Sequence, residues 1–200
     1  MARWYGLQTI FFDWGGTLAG LGREADNWHY CAAKAAEMLL RELSWGTHAA
    51  AQVLTERFTQ ALRVAREDPE CREVDTRSIL AEWGEQLGLG PPQDWPIDRA
   101  FDAFWQAWVG ALDPIEGAAD ALAELRRRGY RLGLVSNTAV PPEYAQRELE
   151  RLGLAVSLDS CTLSSVVTRR KPHPLIYEAA LASIYAVSYT HLTLPTIYSV

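Results

Sequence analysis

The sequence predicts an α/β fold in which a parallel sheet carries an inserted, all-helical cap. Short apolar runs at 8–13 and 131–136, and a weaker one within 155–163, have the length and composition of strands. Helical patterns follow the second and the third run, and strands that alternate with helices indicate a parallel sheet with right-handed crossovers. The stretch from 26 to 110 has only helical patterns, so we interpret it as an insertion.

The first strand is predicted at 8–13, where the apolar run Thr-Ile-Phe-Phe ends in Asp13. The turn sequence Trp14-Gly-Gly-Thr17 follows directly. An apolar run that is broken by glycines is typical of a buried strand that enters a tight turn. We therefore expect Asp13 to lie at the carboxyl end of this strand.

Four helices are predicted in the inserted stretch. The first three run to about 43, 66 and 88 and begin at residues that favour the N-cap position: Asp26 or Asn27, Thr47, and Asp75 or Thr76. The fourth follows Pro96, and its apolar residues recur three and four apart on one helical face: Ile97, Ala100, Phe101, Phe104, Trp105 and Trp108. We expect this stripe to form the core of the cap rather than to line a substrate pocket.

Helices and strands alternate after Pro114. In chain order, the prediction is a helix over about 116–128, a strand at 131–136, a helix from Pro141 to Gly153, a strand within 155–163 and a helix from near Pro174. The predicted domains are an α/β core formed by 1–19 and 112–183 and a helical cap formed by 20–111.

The composition indicates a globular protein. The chain has 200 residues, is 48% hydrophobic and 22% charged, and carries a formal net charge of −6. This apolar content excludes a disordered chain, and the negative charge argues against nucleic acid or an anionic membrane as the main partner. No apolar run approaches the roughly 20 residues of a membrane-spanning helix, and no signal-peptide pattern is visible. We expect a cytoplasmic protein whose three cysteines are reduced thiols in the core.

The residues from 184 to 200 contain no charge and no glycine. Their segment 187–196 resembles a translated sequencing adapter, and we interpret 184–200 as a non-native tail; a genuine edge strand is the alternative. On the adapter interpretation, the natural gene continues past about Ser183 and the core is truncated at its C-terminus. The strand at 8–13 would then present an unpaired apolar edge, so we expect this chain to express poorly and to be inactive.

Three polar residues follow the predicted strands. Asp13 ends the first strand, Ser136 ends the second, and Lys171 follows the third. Ligands of parallel sheets bind at the carboxyl ends of the strands, so these side chains are expected to converge there. A carboxylate can attack a phosphoryl group, a hydroxyl can bind its oxygens, and a lysine can offset its negative charge. The set therefore predicts a site for a phosphoryl group.

The same residues carry a resemblance to a known family. Phe11-Phe-Asp-Trp-Gly-Gly-Thr-Leu18, Val135-Ser-Asn137 and Arg170-Lys-Pro-His-Pro-Leu-Ile-Tyr177 resemble motifs one, two and three of the haloacid dehalogenase-like hydrolase superfamily. Their order and spacing match, and the resemblance covers roughly 7–183. It implies a Rossmann-like three-layer α/β/α core, and the helical insertion is similar to the first type of cap in that superfamily.

The resemblance also implies roles for individual residues. Asp13 would be the nucleophile that forms an aspartyl-phosphate, Ser136 would hydrogen-bond a phosphoryl oxygen, and Lys171 would hold the nucleophile and the phosphate together. The positions expected to bind the phosphate and to support the nucleophile loop are Gly16, Thr17 and Asn137. The expected substrate is a small phosphorylated metabolite, and the expected assembly is a monomer or a homodimer.

The resemblance implies a magnesium ion, bound by the Asp13 carboxylate, the Gly15 backbone carbonyl and an acid from motif four. Two departures matter. The phosphatases of the superfamily carry a second aspartate two residues after the nucleophile, where this chain has Gly15. The acids of motif four are expected beyond Lys171, but nothing after Glu178 is acidic. We attribute the second departure to truncation and the first to the protein itself.

Three functions are therefore open: a magnesium-dependent phosphatase, a dehalogenase- or phosphonatase-like hydrolase that works without the second aspartate, and a catalytically impaired binding protein on the same fold. Several other polar residues are expected to have no part in the chemistry. Arg169 and Arg170 are interpreted as solvated surface residues and His173 as a loop residue, and the segment 28–30 is expected to face away from the active site.

Overall fold

The structure is a computed structural model that describes residues 8–21, 28–42, 48–88, 90–91, 93, 96–110 and 112–186. The first part of the chain contains β1 (Thr9–Phe12), β2 (Ala19–Leu21), α1 (Trp28–Glu42), α2 (His48–Glu67), α3 (Thr76–Gln86), α4 (Ile97–Val109) and β3 (Leu112–Pro114). The second part contains α5 (Ala118–Arg127), β4 (Arg131–Ser136), α6 (Pro142–Arg151), a 3-10 turn (Ala155–Ser157), β5 (Ser160–Leu163), α7 (Ser164–Val167) and α8 (Pro174–Ala186).

The three strands of the core form one parallel sheet in the order β1-β4-β5. Phe12 of β1 pairs with Leu134 of β4, and Ser136 of β4 pairs with Leu163 of β5. All three strands therefore end at the same edge of the sheet. The predicted α/β class is confirmed.

Helices cover both faces of this sheet. Leu132 and Leu134 are fully buried on one face, in a cluster that includes residues of α5 and α6 and continues into the cap. Val135 points to the other face and packs with Ile176 and Ala180 of α8. This alternation along β4 follows from the two-residue repeat of a strand, and it produces the three layers expected of a Rossmann-like core.

β1 is less buried than its sequence suggests. All four of its residues are only partly buried, and within the described residues its single partner is β4. The apolar edge expected for this strand is therefore present in the described part of the chain.

The predicted cap comprises α1 to α4, and the structure confirms that the apolar stripe of α4 packs in a core. Phe104, Trp105 and Trp108 are buried, and Phe101 is partly buried. Phe58 of α2 lies among them, with its ring centroid 5.0 Å from Phe104 and 5.2 Å from Trp108 in edge-to-face geometry. Such aromatic pairs stabilise a fold beyond the area that they bury.

One of the predicted N-caps falls within the described residues. Asp75 caps α3, and its side chain accepts a hydrogen bond from the Ser78 backbone N–H at 3.2 Å. The other candidates, Asp26, Asn27 and Thr47, lie outside the described residues, as does the tail from 187 to 200.

An antiparallel ribbon, not predicted from sequence, connects the core to the cap. β2 and β3 pair from Ala19–Pro114 to Leu21–Leu112. These strands are three residues long, so neither has the apolar periodicity that identifies a strand. The ribbon lies where the sequence analysis placed the boundaries between the core and the cap. These domain boundaries stay a prediction.

Two details differ from expectation. Helix α8 continues to Ala186, past the predicted last native residue Ser183, and Ile184 is buried on its inner side. The expectation that the cysteines are core residues is wrong for Cys161, which is exposed, and for Cys71, which is only partly buried.

None of the described helices is long and apolar enough to cross a membrane.

Gly133→Ala is expected to destabilise the core. A Cβ atom at this position of β4 would lie 2.5 Å from Phe11 Cε1 and 2.8 Å from Ser160 Oγ. Overpacking of this kind costs about 1–3 kcal/mol, which urea denaturation would measure. Gly20→Ala is the matched control, because its Cβ would meet only Ile115 Cγ1 at 3.8 Å. Equal stability of the two variants would contradict the prediction.

Candidate active site

Asp13 lies at the carboxyl end of the sheet, one residue beyond the pair Phe12–Leu134. Its Oδ1 accepts a hydrogen bond from the Trp14 backbone N–H at 2.8 Å and lies 3.0 Å from Lys171 Nζ. The side chain is 42% exposed, and among the described residues no hydrogen bond reaches Oδ2. One carboxylate oxygen is therefore held in place while the other is open to a ligand.

The turn after Asp13 is held by its own backbone. The carbonyl oxygen of Trp14 accepts hydrogen bonds from the N–H groups of Thr17, Leu18 and Ala19, and the Gly16 N–H donates to the Ala19 carbonyl at 2.8 Å. Gly16 has a φ of 77°, which glycine adopts without strain. Gly16 and Thr17 are exposed, but both of their amides donate within the turn. Their part in phosphate binding stays a prediction.

Lys171 is positioned by motif two. Its ammonium group donates to the Val135 carbonyl at 2.9 Å as well as contacting Asp13. The Asn137 side chain makes two hydrogen bonds to the Lys171 backbone. Its Oδ1 accepts from the Lys171 N–H at 2.5 Å, and its Nδ2 donates to the Lys171 carbonyl at 3.1 Å. The structure thus gives Asn137 a positioning contact that sequence patterns did not indicate.

Ser136, the last residue of β4, is only 3% exposed. Its carbonyl accepts a hydrogen bond from Ser164 Oγ at 3.3 Å, and the Thr138 N–H donates to the same hydroxyl at 2.7 Å. Ser164 follows β5 directly, so this contact ties the ends of two neighbouring strands together.

The interpretation of Arg170 as a solvated surface residue is wrong. Its Nη1 lies 2.7 Å from Glu73 Oε1 and 3.0 Å from Glu73 Oε2, and the two side chains are only 12% and 3% exposed. Glu73 also accepts a short hydrogen bond from the Ser164 hydroxyl. A carboxylate of the cap therefore binds two residues that flank the predicted active-site loops of the core.

Backbone contacts accompany this ion pair. The Arg170 N–H donates to the Cys71 carbonyl at 2.6 Å, and the Glu73 N–H donates to the Thr168 carbonyl at 3.3 Å. Arg72 bonds back to Asp68 at 2.8 Å, and its guanidinium holds the pKa of that carboxyl well below its usual range. The loop between α2 and α3 is thus ordered by its own contacts and docked on the loop that carries Lys171.

His173 also has a structural contact. Its Nδ1 accepts a hydrogen bond from the Leu175 backbone N–H at 3.2 Å, in the first turn of α8. This agrees with the interpretation of His173 as a loop residue. The segment 28–30 is part of α1, but its side chains lie outside the described atoms, so its expected orientation is untested.

A cavity of about 110 Å³ lies between this edge of the sheet and the cap. Its core side includes Trp14, Gly15, Ser136 and Asn137, together with the segment 138–140 and Arg170. Helices α2 and α4 contribute Phe58, Leu62, Arg66, Trp105 and Trp108, and β3 contributes Leu112. Trp105 and Trp108 of α4 therefore pack in the core and also line the cavity. The expectation that the stripe would not line a pocket is wrong for these two residues. Asp13 and Lys171 lie outside its walls, immediately next to Trp14 and Arg170 in the chain.

The described residues offer part of a site for a magnesium ion. The Asp13 carboxylate is half-exposed and the Gly15 backbone is exposed beside it. Carboxylate and carbonyl oxygens are the donors that Mg²⁺ prefers, and this ion commonly uses one or two carboxylates with water and phosphate as its other ligands. No group of three or more acidic, histidine or cysteine side chains that could hold a metal ion occurs within the described part of the chain. The predicted ligands fit the ion, and a further acid is not found among the described residues.

A family model described as haloacid dehalogenase-like hydrolase matches residues 7–186. The chain is 28% identical over 125 residues to N-acetylmuramic acid 6-phosphate phosphatase of Pseudomonas aeruginosa, which covers 58% of this chain and 54% of that protein. It is 29% identical over 175 residues to phosphonoacetaldehyde hydrolase of Bordetella pertussis, which covers 84% of this chain and 57% of that protein. The chain thus spans little more than half the length of these relatives.

The fold is also similar to that of solved structures. A HAD phosphatase from Thermococcus onnurineus aligns with a TM-score of 0.53 over 90% of this chain and 72% of that chain, at 18% sequence identity. At this identity the similarity concerns the fold alone.

Proposed function

The chain belongs to the haloacid dehalogenase-like hydrolase family, and from that premise we propose that it is a magnesium-dependent phosphatase of a small phosphorylated metabolite. The observation that carries the proposal is the 3.0 Å contact between Lys171 Nζ and Asp13 Oδ1 beside an open cavity. A lysine in this position lowers the repulsion between an attacking carboxylate and a phosphoryl group. One of the named relatives is a phosphatase.

In the proposed reaction, a carboxylate oxygen of Asp13 attacks phosphorus and forms an aspartyl-phosphate. The bond from phosphorus to the leaving oxygen breaks, and that oxygen takes the electron pair and then a proton from water. A water molecule next attacks the aspartyl-phosphate at phosphorus and loses a proton. Inorganic phosphate leaves, and the Asp13 carboxylate is regenerated.

The other predicted residues have supporting parts in this proposal. Ser136 donates a hydrogen bond to a phosphoryl oxygen, and Gly16, Thr17 and Asn137 complete the phosphate site. Lys171 keeps its contact with Asp13 while the phosphoryl group is transferred. Mg²⁺, held by the Asp13 carboxylate, the Gly15 carbonyl and a further acid, would supply positive charge to the phosphoryl oxygens.

Cleavage of a carbon–phosphorus bond is the second candidate function. It is favoured by Gly15, which cannot act as the general acid of a phosphatase, and by the phosphonoacetaldehyde hydrolase that aligns with 84% of the chain. Dehalogenation would also need no acid at Gly15. A binding protein without turnover is the remaining alternative.

The candidate functions can be distinguished by assaying turnover by the full-length protein of three compounds: phenyl phosphate, phosphonoacetaldehyde and 2-chloropropionate. We expect phenyl phosphate hydrolysis that falls at least ~100-fold with EDTA and returns when Mg²⁺ is added in excess. Turnover of phosphonoacetaldehyde alone would favour the second candidate, and 2-chloropropionate turnover that survives EDTA would favour dehalogenation. Binding of phenyl phosphate without turnover would identify a binding protein.

We further propose a cytoplasmic protein that acts as a monomer or a homodimer, without nucleic acid or membrane partners. The net charge of −6 and the unpaired cysteines Cys71 and Cys161 support this assignment.

A further inference from the structure

We propose that the substrate is the phosphate of an acidic hydroxyl group, namely of a phenol, an enol or a carboxylic acid, whose oxygen departs as a stabilised anion. This inference rests on the proposed phosphatase function and deepens it by naming the class of leaving group. The cavity beside Asp13 carries it, because none of the described side chains that line this cavity can donate a proton near neutral pH.

Arg66 and Arg170 are the two ionisable side chains in the cavity walls. A guanidinium group keeps its proton in proteins and so does not act as a general acid. The other polar side chains in the walls are hydroxyl, amide and indole groups, which are poor acids at pH 7. A leaving group in this cavity therefore meets positive charge but no general acid from the described walls.

The phosphatases that the chain resembles carry their acid two residues after the nucleophile, and this chain has Gly15 there. This glycine is exposed, lies two residues after Asp13, and has no side chain. Two titratable side chains lie close to these loops: Glu73, which is 3% exposed and paired with Arg170, and His173, whose Nδ1 accepts the Leu175 N–H. Neither lines the cavity.

Arg66 supplies the charge that an anionic leaving group needs. Phe58, Leu62 and Arg66 are spaced by four along α2 and so lie on one helical face, which lines the cavity. Arg170 is neutralised by Glu73, whereas Arg66 is exposed and has no carboxylate partner within the described part of the chain. A cation next to apolar walls stabilises a nearby anion more than it does in water.

The remaining walls suit an apolar leaving group. Phe58, Trp105 and Trp108 form a tight cluster, with centroid distances of 5.2 Å for Phe58–Trp108 and 6.0 Å for both Phe58–Trp105 and Trp105–Trp108. Because these rings pack against one another, they form a rigid part of the cavity wall. Aromatic walls with a few polar groups are typical of small-molecule sites.

Phosphate esters differ in how strongly departure of the leaving group depends on a proton. General acid catalysis contributes typically ~10²–10⁴-fold to a rate. An alkyl leaving group depends on that proton, since an alkoxide is a strong base. A phenolate, enolate or carboxylate is a far weaker base and leaves without it. An enzyme with Gly15 in place of the acid therefore loses the most rate with alkyl phosphates.

The test compares phenyl phosphate with benzyl phosphate, which are similar in size but differ greatly in the acidity of the alcohol. With the full-length protein and Mg²⁺, we expect kcat/KM for benzyl phosphate to be ~10²–10⁴-fold lower. Arg66→Leu should lower kcat/KM for phenyl phosphate about tenfold, in line with the loss of one charge-assisted contact. Arg63→Leu, an exposed arginine of α2 outside the cavity walls, should leave it unchanged.

Gly15→Asp restores the missing acid and sharpens the test. Gly16, not Gly15, has the positive φ of this turn, so a side chain at 15 is compatible with the backbone. We expect Gly15→Asp to raise the ratio of kcat/KM for benzyl phosphate to kcat/KM for phenyl phosphate ~100-fold. Gly15→Asn has the same shape but no proton to give, and should not rescue benzyl phosphate. Thermal unfolding of the same samples shows whether each variant is folded.

Equal kcat/KM values for the two esters would overturn the inference while leaving the phosphatase proposal intact. Rescue of benzyl phosphate by Gly15→Asn as well as by Gly15→Asp would overturn it too, because the proton would then not be the cause. Absence of Mg²⁺-dependent hydrolysis of either ester would overturn the phosphatase proposal itself, and this inference with it.

Discussion

Asp13→Asn is expected to abolish turnover, with a fall in kcat/KM of at least ~10³-fold, because an amide oxygen is a far weaker nucleophile than a carboxylate. The variant should fold normally. The amide oxygen can still accept the hydrogen bonds from the Trp14 N–H and from Lys171 Nζ, which lie 2.8 and 3.0 Å from Oδ1. The measurement is Mg²⁺-dependent hydrolysis of phenyl phosphate, together with thermal unfolding of the same sample.

Asp75→Asn is the matched control for this substitution. Asp75 caps α3 away from the sheet edge, and asparagine is as good an N-cap as aspartate. Activity and stability should both stay near those of the wild type. Metal-dependent turnover that persists in Asp13→Asn would show that another group is the nucleophile.

Glu73→Ala is expected to cost about 3–5 kcal/mol of the free energy of unfolding, the usual effect of removing one partner of a buried ion pair. The Arg170 guanidinium is only 12% exposed, so after the substitution it would remain buried without a counter-charge. The Ser164 hydroxyl would lose its carboxylate acceptor as well and keep only the carbonyl acceptors of Ser136 and Thr138, each at 3.3 Å. Urea denaturation, with the midpoint and the m-value fitted separately, measures the loss.

Two further variants show whether the buried charge is the cause. The double variant Glu73→Leu/Arg170→Leu removes both charges and should recover most of the loss. Glu148→Ala breaks a second ion pair, but its partner Arg151 is 48% exposed, so water can solvate the cation that remains. We expect this control to lose clearly less than Glu73→Ala. A loss below ~1 kcal/mol for Glu73→Ala would mean that the pair contributes no more than a surface ion pair.

The order of the three core strands and of the helices between them, and the proximity of Lys171 to Asp13, could be predicted from the sequence because they depend on local patterns. Apolar runs of strand length identify the strands, and parallel strands bring their carboxyl ends to one edge whatever the helices between them contain. The aromatic stripe of α4 was predicted for the same reason, since a repeat of three to four residues fixes one helical face.

The contacts between distant segments depend on tertiary structure. Glu73 and Arg170 are 97 residues apart in the chain, and Arg170 looks like a surface residue when only its charged neighbours are considered. The hydrogen bonds between Asn137 and Lys171 and the short β2–β3 ribbon likewise leave no periodic pattern in the sequence. Each arises only when a loop of the cap or a strand of the core meets a partner from elsewhere in the chain.

The sequence by itself thus determined the fold class and the ends of the three core strands, because short-range periodicity and turn residues are sufficient for these features. It also led to the residues that we propose for phosphoryl chemistry. The tertiary structure decided which charges are neutralised, which lysine atoms are held, and that the cavity beside Asp13 is walled by aromatic rings and Arg66 with no described proton donor. The physical reason is that burial and pairing are properties of segments brought together by folding, and a charged side chain has the same letter in the sequence whether its partner is water or a buried carboxylate.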